Sequence, residues 1–147
     1  MQLFCYVANT PDEMAEAREN WETIREKMIA HPGGFPFDSH SRSALDATPA
    51  EREALYERLW KQGSFKFFLE SYNDIAISEE ANKTLADFVR GKIREIVKDP
   101  ETAELLCPTN EIGVKRICVD TGYFQIFNRP NVSRSEERRV GKECRSR

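Results

Sequence analysis

The chain has 147 residues, of which 39% are hydrophobic and 32% are charged, and its net charge is −3. A chain of this length can form one domain and bury about two thirds of its unfolded surface. The acidic balance disfavours nucleic acid as the main partner, because phosphate binding needs a concentrated basic face.

The start of the chain predicts one strand and then one helix. The apolar residues 3 to 7 favour a short strand. Thr10 and Glu13 have the spacing of a capping box, and Pro11 between them suits the first helical position. Apolar residues then recur at spacings of three and four as far as about Ala30, which predicts a single helix with a stripe that faces the core. This stripe consists of Met14, Ala17, Trp21, Ile24 and Met28.

A loop follows, and both histidines of the chain lie at its edges. Gly33 and Gly34 interrupt the helical pattern, which does not return before about Asp46. His31 and His40 have no carboxylate or thiol at metal-ligand spacing. We therefore predict ordinary loop histidines and no metal site.

Four further helices are predicted after this loop. The second helix of the chain begins at the Thr48 cap and ends at Gly63. The third covers residues 64 to about 72 and is rich in aromatic residues, so we expect it to pack against its neighbours. Ser78 caps a long fourth helix, and Asp99 caps a short fifth helix that runs through Leu106. The apolar stripes of the second and fourth helices are Leu55, Tyr56, Leu59 and Trp60, and Leu85, Phe88, Val89, Ile93, Ile96 and Val97, respectively.

The order of these elements predicts the fold class. One strand precedes five helices, a second strand is predicted at residues 116 to 119, and another begins at Val132. A complete doubly wound domain needs alternating strands and helices. We therefore predict a mostly α-helical chain, in which a helical insertion separates two strands of a sheet whose other strands lie outside this sequence.

The cysteines and the apolar segments indicate a compartment. Cys5, Cys107 and Cys118 are scattered without CxxC spacing, which favours reduced thiols over disulfides or a zinc site. No apolar run has the length of a membrane span, and the first residues lack the pattern of a secretory signal. We therefore expect a cytoplasmic protein without a membrane partner.

The most informative motif for function lies near the end of the chain. Lys115 and Arg116 follow Gly113 and open a β-branched run, where the two-residue period of a strand points neighbouring side chains to opposite faces. An aromatic pair, Tyr123 and Phe124, comes next. The stretch closes with Phe127-Asn128-Arg129-Pro130-Asn131-Val132.

At this spacing, the stretch resembles the late part of the NADP-binding domain of Baeyer–Villiger monooxygenases, flavin enzymes that insert oxygen beside a ketone carbonyl. The resemblance extends over about residues 20 to 132. It implies a helical insertion subdomain of a Rossmann-like NADP-binding domain, an incomplete α/β domain. Residues 1–9 would be a strand remnant, 10–108 the helical subdomain and 109–133 the return strands, so we expect an internal fragment of a longer protein.

The resemblance also implies the chemistry of that longer protein. Arg116 matches the family's catalytic arginine, and Lys115 matches the neighbouring lysine that contacts the 2′-phosphate of NADP. FAD, NADPH and O2 would be used to oxygenate a ketone to an ester or lactone. This sequence lacks a Gly-x-Gly-x-x-Gly motif and the family's Phe-Gly and His signature. No cofactor and no activity are therefore expected of this chain alone.

The last segment, residues 134–147, resembles a translated sequencing adapter. It holds six basic and three acidic residues, so the 22 basic and 25 acidic residues of the whole chain reduce to 16 and 22 before it, a net charge of −6. We expect this tail to be artefactual and to lie outside the folded part.

Two other interpretations are consistent with the sequence. A stand-alone helical interaction module would use Trp21, Trp60 and the aromatic third helix as a face for a partner protein. A related flavin monooxygenase would hydroxylate nitrogen or oxygenate sulfur instead of a ketone.

Overall fold

A computed structural model describes residues 2–5, 10–31, 33–38, 40–115 and 117–132 of the chain. Within these ranges the fold is mostly helical with one pair of short strands, as predicted. The predicted tail, 134–147, lies outside the described residues. In chain order the elements are β1 (Gln2–Cys5), α1 (Pro11–Glu19), α2 (Trp21–Ala30), α3 (Pro49–Gln62), α4 (Lys66–Leu69), α5 (Glu79–Ile96), α6 (Pro100–Leu106), β2 (Ile117–Asp120) and α7 (Tyr123–Ile126).

The two strands pair in parallel, with Leu3 opposite Cys118 and Phe4 opposite Val119. Parallel strands need a long crossover connection, and here the helices α1 to α6 all lie within it. The strand predicted at residues 3 to 7 is confirmed as far as Cys5, and the one predicted at residues 116 to 119 is confirmed from Ile117. Residues 6–9 and 116 lie outside the described ranges. The strand predicted to begin at Val132 would likewise continue beyond them.

The predicted first helix is in fact two helices that meet at Asn20. The side-chain amide of Asn20 donates to the Glu16 carbonyl at 3.0 Å, and its backbone N–H bonds the same oxygen. A side chain that competes in this way for backbone groups favours a helix end, so the apolar stripe does not continue along one face. Neither α1 nor α2 contains a buried residue, and Met14 and Trp21 are 47% and 53% exposed. The prediction of one helix with a core-facing stripe is therefore wrong.

The core lies between α3 and α5, the two longest helices of the described residues. At the start of α3, the Glu51 N–H donates to Thr48 Oγ1 at 3.3 Å and the Thr48 N–H donates to Glu51 Oε2 at 2.7 Å, which is the predicted capping box. Gly63 ends α3 with a φ of 67°, a conformation that favours glycine. Ser78 caps α5 by accepting from the Ala81 N–H at 3.2 Å. Both helices are thus confirmed, together with their start signals.

Aromatic rings fill the space between α3 and α5. The ring centroids of Tyr56 and Phe88 are 5.5 Å apart, and Trp60 meets Phe67 edge-on at 5.5 Å. The Tyr56 hydroxyl forms a hydrogen bond with Thr84 Oγ1 at 2.7 Å, and burial raises the pKa of Tyr56 to about 12. Such aromatic pairs contribute about 0.5–1.5 kcal/mol each beyond their area burial. The cluster therefore stabilises one orientation of α3 on α5.

The short helix α6 packs beside the end of α5, and its predicted cap is confirmed. Asp99 Oδ2 accepts from the Thr102 N–H at 2.8 Å. The guanidinium of Arg94, on α5, reaches Glu104 on α6 through two hydrogen bonds of 2.6 and 3.1 Å. These contacts hold the two helices together at their exposed sides.

The predicted third helix is reduced to α4, and the chain turns before residue 72. The Ser71 carbonyl accepts from the His40 N–H at 3.1 Å, so it bonds the preceding loop and not a continued helix. Asp74 accepts from the Ala44 N–H at 2.9 Å and thereby holds the same loop. The prediction of a helix over the whole aromatic stretch is wrong because these loop contacts compete with helical hydrogen bonds.

The capping box of α3 predicts a stability change in acid. Hydrogen bonds from Thr48 and then from Arg42 lower the pKa of Glu51 from 4.5 to about 2. Because its folded-state pKa is depressed, the Glu51 carboxylate stabilises the fold above pH 4.5, and this contribution is lost as the pH falls towards 2. Glutamine keeps a capping acceptor but does not titrate. We expect Glu51→Gln to flatten the fall in the free energy of unfolding over this pH range, measured by urea denaturation.

Glu13→Gln is the matched control, because Thr10 and Glu13 form the same capping box on α1. Thr10 also lowers the pKa of Glu13, but α1 contributes no buried residue. We expect Glu13→Gln to leave the fall in the free energy of unfolding below pH 4.5 unchanged. An equal flattening in both variants would contradict the assignment of the effect to the α3 cap.

Candidate functional site

The loop before β2 is attached to the first turn of α5 by a buried asparagine. Asn82 is only 4% exposed. Its Nδ2 donates to the carbonyls of Ile75 and Ile112 at 2.8 Å each, and its Oδ1 accepts from the Ile112 N–H at 2.8 Å. A single side chain therefore bonds both backbone polar groups of Ile112, which fixes the direction of the chain as well as its position.

Gly113, the next residue, passes close to the Phe68 ring. Its φ is 98°, in the left-handed region, and a Cβ added there would lie 3.0 Å from Phe68 Cζ. Both observations exclude a larger residue without local movement. The glycine of the Gly113–Arg116 motif thus has a structural role, which is to let the loop pass against the Phe68 ring.

Lys115 is exposed on the bend that leads into β2. It forms no ion pair with any residue that the structure describes. It lies on a loop that is held three residues earlier by Asn82. Arg116, the predicted catalytic residue, lies outside the described residues. The prediction that Lys115 and Arg116 point to opposite faces of the strand therefore stays a prediction. The described strand begins at the buried Ile117.

The chain after β2 returns to the other end of α5. Tyr123 begins α7, a short helix that the sequence interpretation missed, and Phe124 is buried. Asn128 Nδ2 donates to the Ile96 carbonyl at 2.8 Å, and Asn128 Oδ1 accepts from the Lys98 N–H at 2.8 Å. Through these two bonds Asn128 binds the end of α5.

A surface groove of about 510 Å³ lies between the start of α5 and the Ile112–Val114 loop. Phe68 and Asn82 contribute to its walls. On its rim, Ile77 is 86% exposed and Val114 is 60% exposed. The groove brings an apolar surface close to the bend that carries Lys115.

Other candidate chemistry finds no support in this part of the chain. His31 Nδ1 accepts from the Gly33 N–H at 3.0 Å, and His40 Nδ1 accepts from the Arg42 N–H at 3.2 Å, as in ordinary loop histidines. Burial raises the pKa of the Cys107 thiol, which disfavours its nucleophilic form. Among the described residues, no cluster of three or more His, Cys, Asp or Glu side chains could hold a metal ion.

The aromatic residues that an interaction module would present are largely turned inward. Trp60 packs against Phe67 and Phe88, and Phe67 is fully buried. Trp21 remains half exposed on α2, which is distant in sequence from the other aromatic residues. The described helices are also too short or too polar for any of them to cross a lipid bilayer.

Comparisons with known proteins identify relatives over most of the chain. No family model matches it. The chain is 36% identical over 130 residues to 2-oxo-Δ3-4,5,5-trimethylcyclopentenylacetyl-CoA monooxygenase of Pseudomonas putida, and 37% identical over 131 residues to a Baeyer–Villiger monooxygenase of Pseudooceanicola batsensis. Both alignments cover 86% of this chain and 24% of the relative. The chain belongs to the Baeyer–Villiger monooxygenase family.

Solved structures of monooxygenases agree with this assignment. The FAD-bound crystal structure of OTEMO superposes with a TM-score of 0.84 at 33% identity, over 89% of this chain and 25% of that one. An oxidised steroid monooxygenase bound to NADP gives a TM-score of 0.82 at 36% identity, over 90% of this chain and 26% of that one. The chain therefore spans about a quarter of the length of its Baeyer–Villiger relatives.

Two glycines separate the effect of backbone strain from that of the Phe68 contact. Gly113 and Gly122 both have positive φ, 98° and 84°, but only at Gly113 would a Cβ meet another side chain. We expect Gly122→Ala to lower the free energy of unfolding by about 1 kcal/mol, the cost of a left-handed alanine. Gly113→Ala should cost about 2–3 kcal/mol, because strain and collision add. Urea denaturation of the two variants measures the difference.

The collision is tested separately by Phe68→Leu, since leucine lacks the ring edge that the new Cβ would meet. In this background, the extra cost of Gly113→Ala over Gly122→Ala should shrink. If the difference persists undiminished, Phe68 is not the residue that requires glycine at this position.

Proposed function

We propose that this chain is a fragment of an FAD- and NADPH-dependent Baeyer–Villiger monooxygenase that oxygenates ketones to esters or lactones. The observation that carries the proposal is the sequence identity to such monooxygenases over 86% of the chain. Relatives include cyclohexanone and cyclopentanone 1,2-monooxygenases and an acetone monooxygenase. A small ketone is accordingly the proposed substrate class, with O2 as the oxygen donor. The reduced thiols of Cys107 and Cys118 are compatible with a cytoplasmic location.

We infer that the chain is the helical insertion of a Rossmann-like NADP-binding domain. The parallel pairing of β1 with β2 supports this inference, because parallel strands joined by helices are the unit from which such domains are built. In this reading, residues 1–9 and 109–133 belong to the sheet, 10–108 form the inserted helices, and 134–147 are artefactual. The remaining strands would come from the rest of the longer protein.

Lys115 is the proposed NADP contact. The fit is chemical: an exposed ammonium group without an ion pair among the described residues can bind the 2′-phosphate as a point charge. Its backbone is held near Ile112 by Asn82, which limits its movement. The sequence offers no glycine-rich fingerprint for FAD, so the flavin would bind to other parts of the longer protein.

Arg116 is the proposed catalytic residue of the same site. FAD and NADPH, when bound, supply the electrons that activate O2. Arginine suits a role beside developing negative charge, because its guanidinium stays protonated at any working pH and places several donors around an anion. Arg116 would hold this charge next to the ketone, while Lys115 holds the cofactor phosphate.

Nitrogen hydroxylation is the second candidate activity. A phenazine N-monooxygenase of Lysobacter antibioticus is 38% identical over 125 residues, which cover 82% of this chain and 22% of that protein. Assays of the full-length enzyme with ketones and with nitrogen heteroaromatics in parallel distinguish the two activities. Product from the heteroaromatics alone would overturn ketone oxygenation as the function.

Arg116→Ala in the full-length protein should uncouple the reaction. A positioned charge in a site that excludes water is typically worth about 3 kcal/mol or more, so ketone oxygenation should fall by about a hundredfold or more. NADPH oxidation should continue, with release of hydrogen peroxide. The measurement is ester or lactone formed per NADPH consumed, with a cyclic and an aryl ketone.

Arg116→Lys is the companion variant, since it keeps the charge and loses the planar fork of donors. We expect it to oxygenate poorly as well, with the flavin still bound. Coupling close to that of the unaltered enzyme in the alanine variant would remove Arg116 from the mechanism.

Lys115→Ala should weaken the use of NADPH and leave the use of NADH nearly unchanged, because only NADPH carries the 2′-phosphate. A hydrogen bond to a charged group is worth about 1.5–3 kcal/mol, which corresponds to a fall of about 10- to 100-fold in kcat/KM for NADPH. Lys98→Ala is the matched control, since Lys98 is also exposed but follows the far end of α5. Equal losses in both variants would indicate a general charge effect and not a phosphate contact.

A further inference from the structure

The segment that carries Lys115 and Arg116 is attached to α5 on both sides. Before β2, Asn82 binds Ile112, and after β2, Asn128 binds Ile96 and the Lys98 N–H. The two attachments, at Asn82 and Ile96, lie towards opposite ends of α5, about 21 Å apart along its axis. Asn82 is the nearer of the two to Lys115 in sequence, and it is the buried one.

Asn82 occupies a position where an apolar residue would be expected. It precedes Leu85, Val89 and Ile93 at helical spacing, and these three residues are all buried. Hydrophobic packing alone does not explain an amide in this stripe. Its two N–H donors and its oxygen are all used, by two loops that approach the helix from different parts of the chain.

The bonds to Ile112 restrain the following residues strongly. One side chain binds both the N–H and the carbonyl of Ile112, so the two peptide groups on either side of its Cα can neither shift nor rotate without breaking a buried hydrogen bond. Lys115 lies only three residues further, at most about 11 Å along an extended chain. Gly113 passes against Phe68 between them, which removes further freedom.

We propose that Asn82 is a positioning residue for the cofactor: it sets where Lys115 meets the 2′-phosphate. This inference rests on the proposed function of Lys115. Misplacement of reacting groups by about 1 Å can cost on the order of a hundredfold in rate. The restraint at Ile112 therefore acts on selectivity for NADPH as well as on stability.

The test uses the full-length enzyme with Asn82→Leu and Asn82→Ser. Leucine has about the volume of asparagine or more and is apolar like its neighbours in the stripe, but it removes all three hydrogen bonds. It therefore tests the proposal even if the serine variant does not fold. We expect the ratio of kcat/KM for NADPH to that for NADH to fall about tenfold or more, within the range of a lost charged contact.

Thr84→Val is the matched control for a hydrogen bond lost from α5. Thr84 binds Tyr56 on α3 and makes no bond to the loop before β2. This variant should lose stability and keep the cofactor ratio. A loss of ratio in Thr84→Val equal to that in Asn82→Leu would overturn the proposal, because a general loss of core stability would then explain both.

A second comparison shows whether Asn82 acts through Lys115. In a Lys115→Ala background, Asn82→Leu should cause no further fall in the NADPH to NADH ratio, and a fully additive fall would overturn the proposal. An unchanged ratio in Asn82→Leu, together with a reduced ratio in Lys115→Ala, would overturn this inference alone. Unchanged ratios in both variants would overturn the proposed cofactor role of Lys115 as well.

Discussion

The apolar face of α5 is the surface on which the described core is assembled. Helices α3, α6 and α7 all contact α5. The aromatic rings of Tyr56, Trp60 and Phe67 each pack against Phe88 of α5. Ala81 and Ala86 on the same helix are buried, so neighbouring backbones can approach it closely. Without this face, the loops that carry the candidate site would have no common support.

Ion pairs and hydrogen bonds give the helices around α5 a defined position. Lys92 lies between Glu57 on α3 and Glu95 on α5, at 2.7 and 3.0 Å, with 15% of its side chain exposed. Glu57, through its hydrogen bond, raises the pKa of Lys92. Arg90 donates from Nε to the Pro108 carbonyl at 2.9 Å and so holds the chain after α6. Because these groups are partly shielded from water, they specify orientation more strongly than exposed pairs do.

The candidate site depends on backbone restraint more than on side-chain packing. Asn82 and Asn128 bind main-chain groups on either side of β2, and Gly113 allows the chain to pass Phe68. A loop restrained at both ends can present a long, flexible lysine with a small entropy cost, since the backbone is already ordered before a ligand arrives. The exposed ammonium of Lys115 is placed in this way.

Local signals in the chain were sufficient for α3, α5 and α6. Thr48 with Glu51, Ser78, and Asp99 with Pro100 mark helix starts whose hydrogen bonds form within one turn, so neighbouring residues decide them. The strong period of α5 likewise depends only on its own residues. The motif around Lys115 was recognisable because its residues are close together in the sequence, and the two strands followed from their own short apolar runs.

Contacts between distant residues decided the rest. The break at Asn20, the shortening of α4 by the loop near His40 and Asp74, and the formation of α7 all depend on partners or competing bonds that periodicity does not encode. The role of Asn82 is the clearest case. Its stripe position was visible in the sequence, but its partners Ile75 and Ile112 are seven and 30 residues away. Only the folded chain brings those backbone groups to one amide, because burial leaves each of them no water to bond instead.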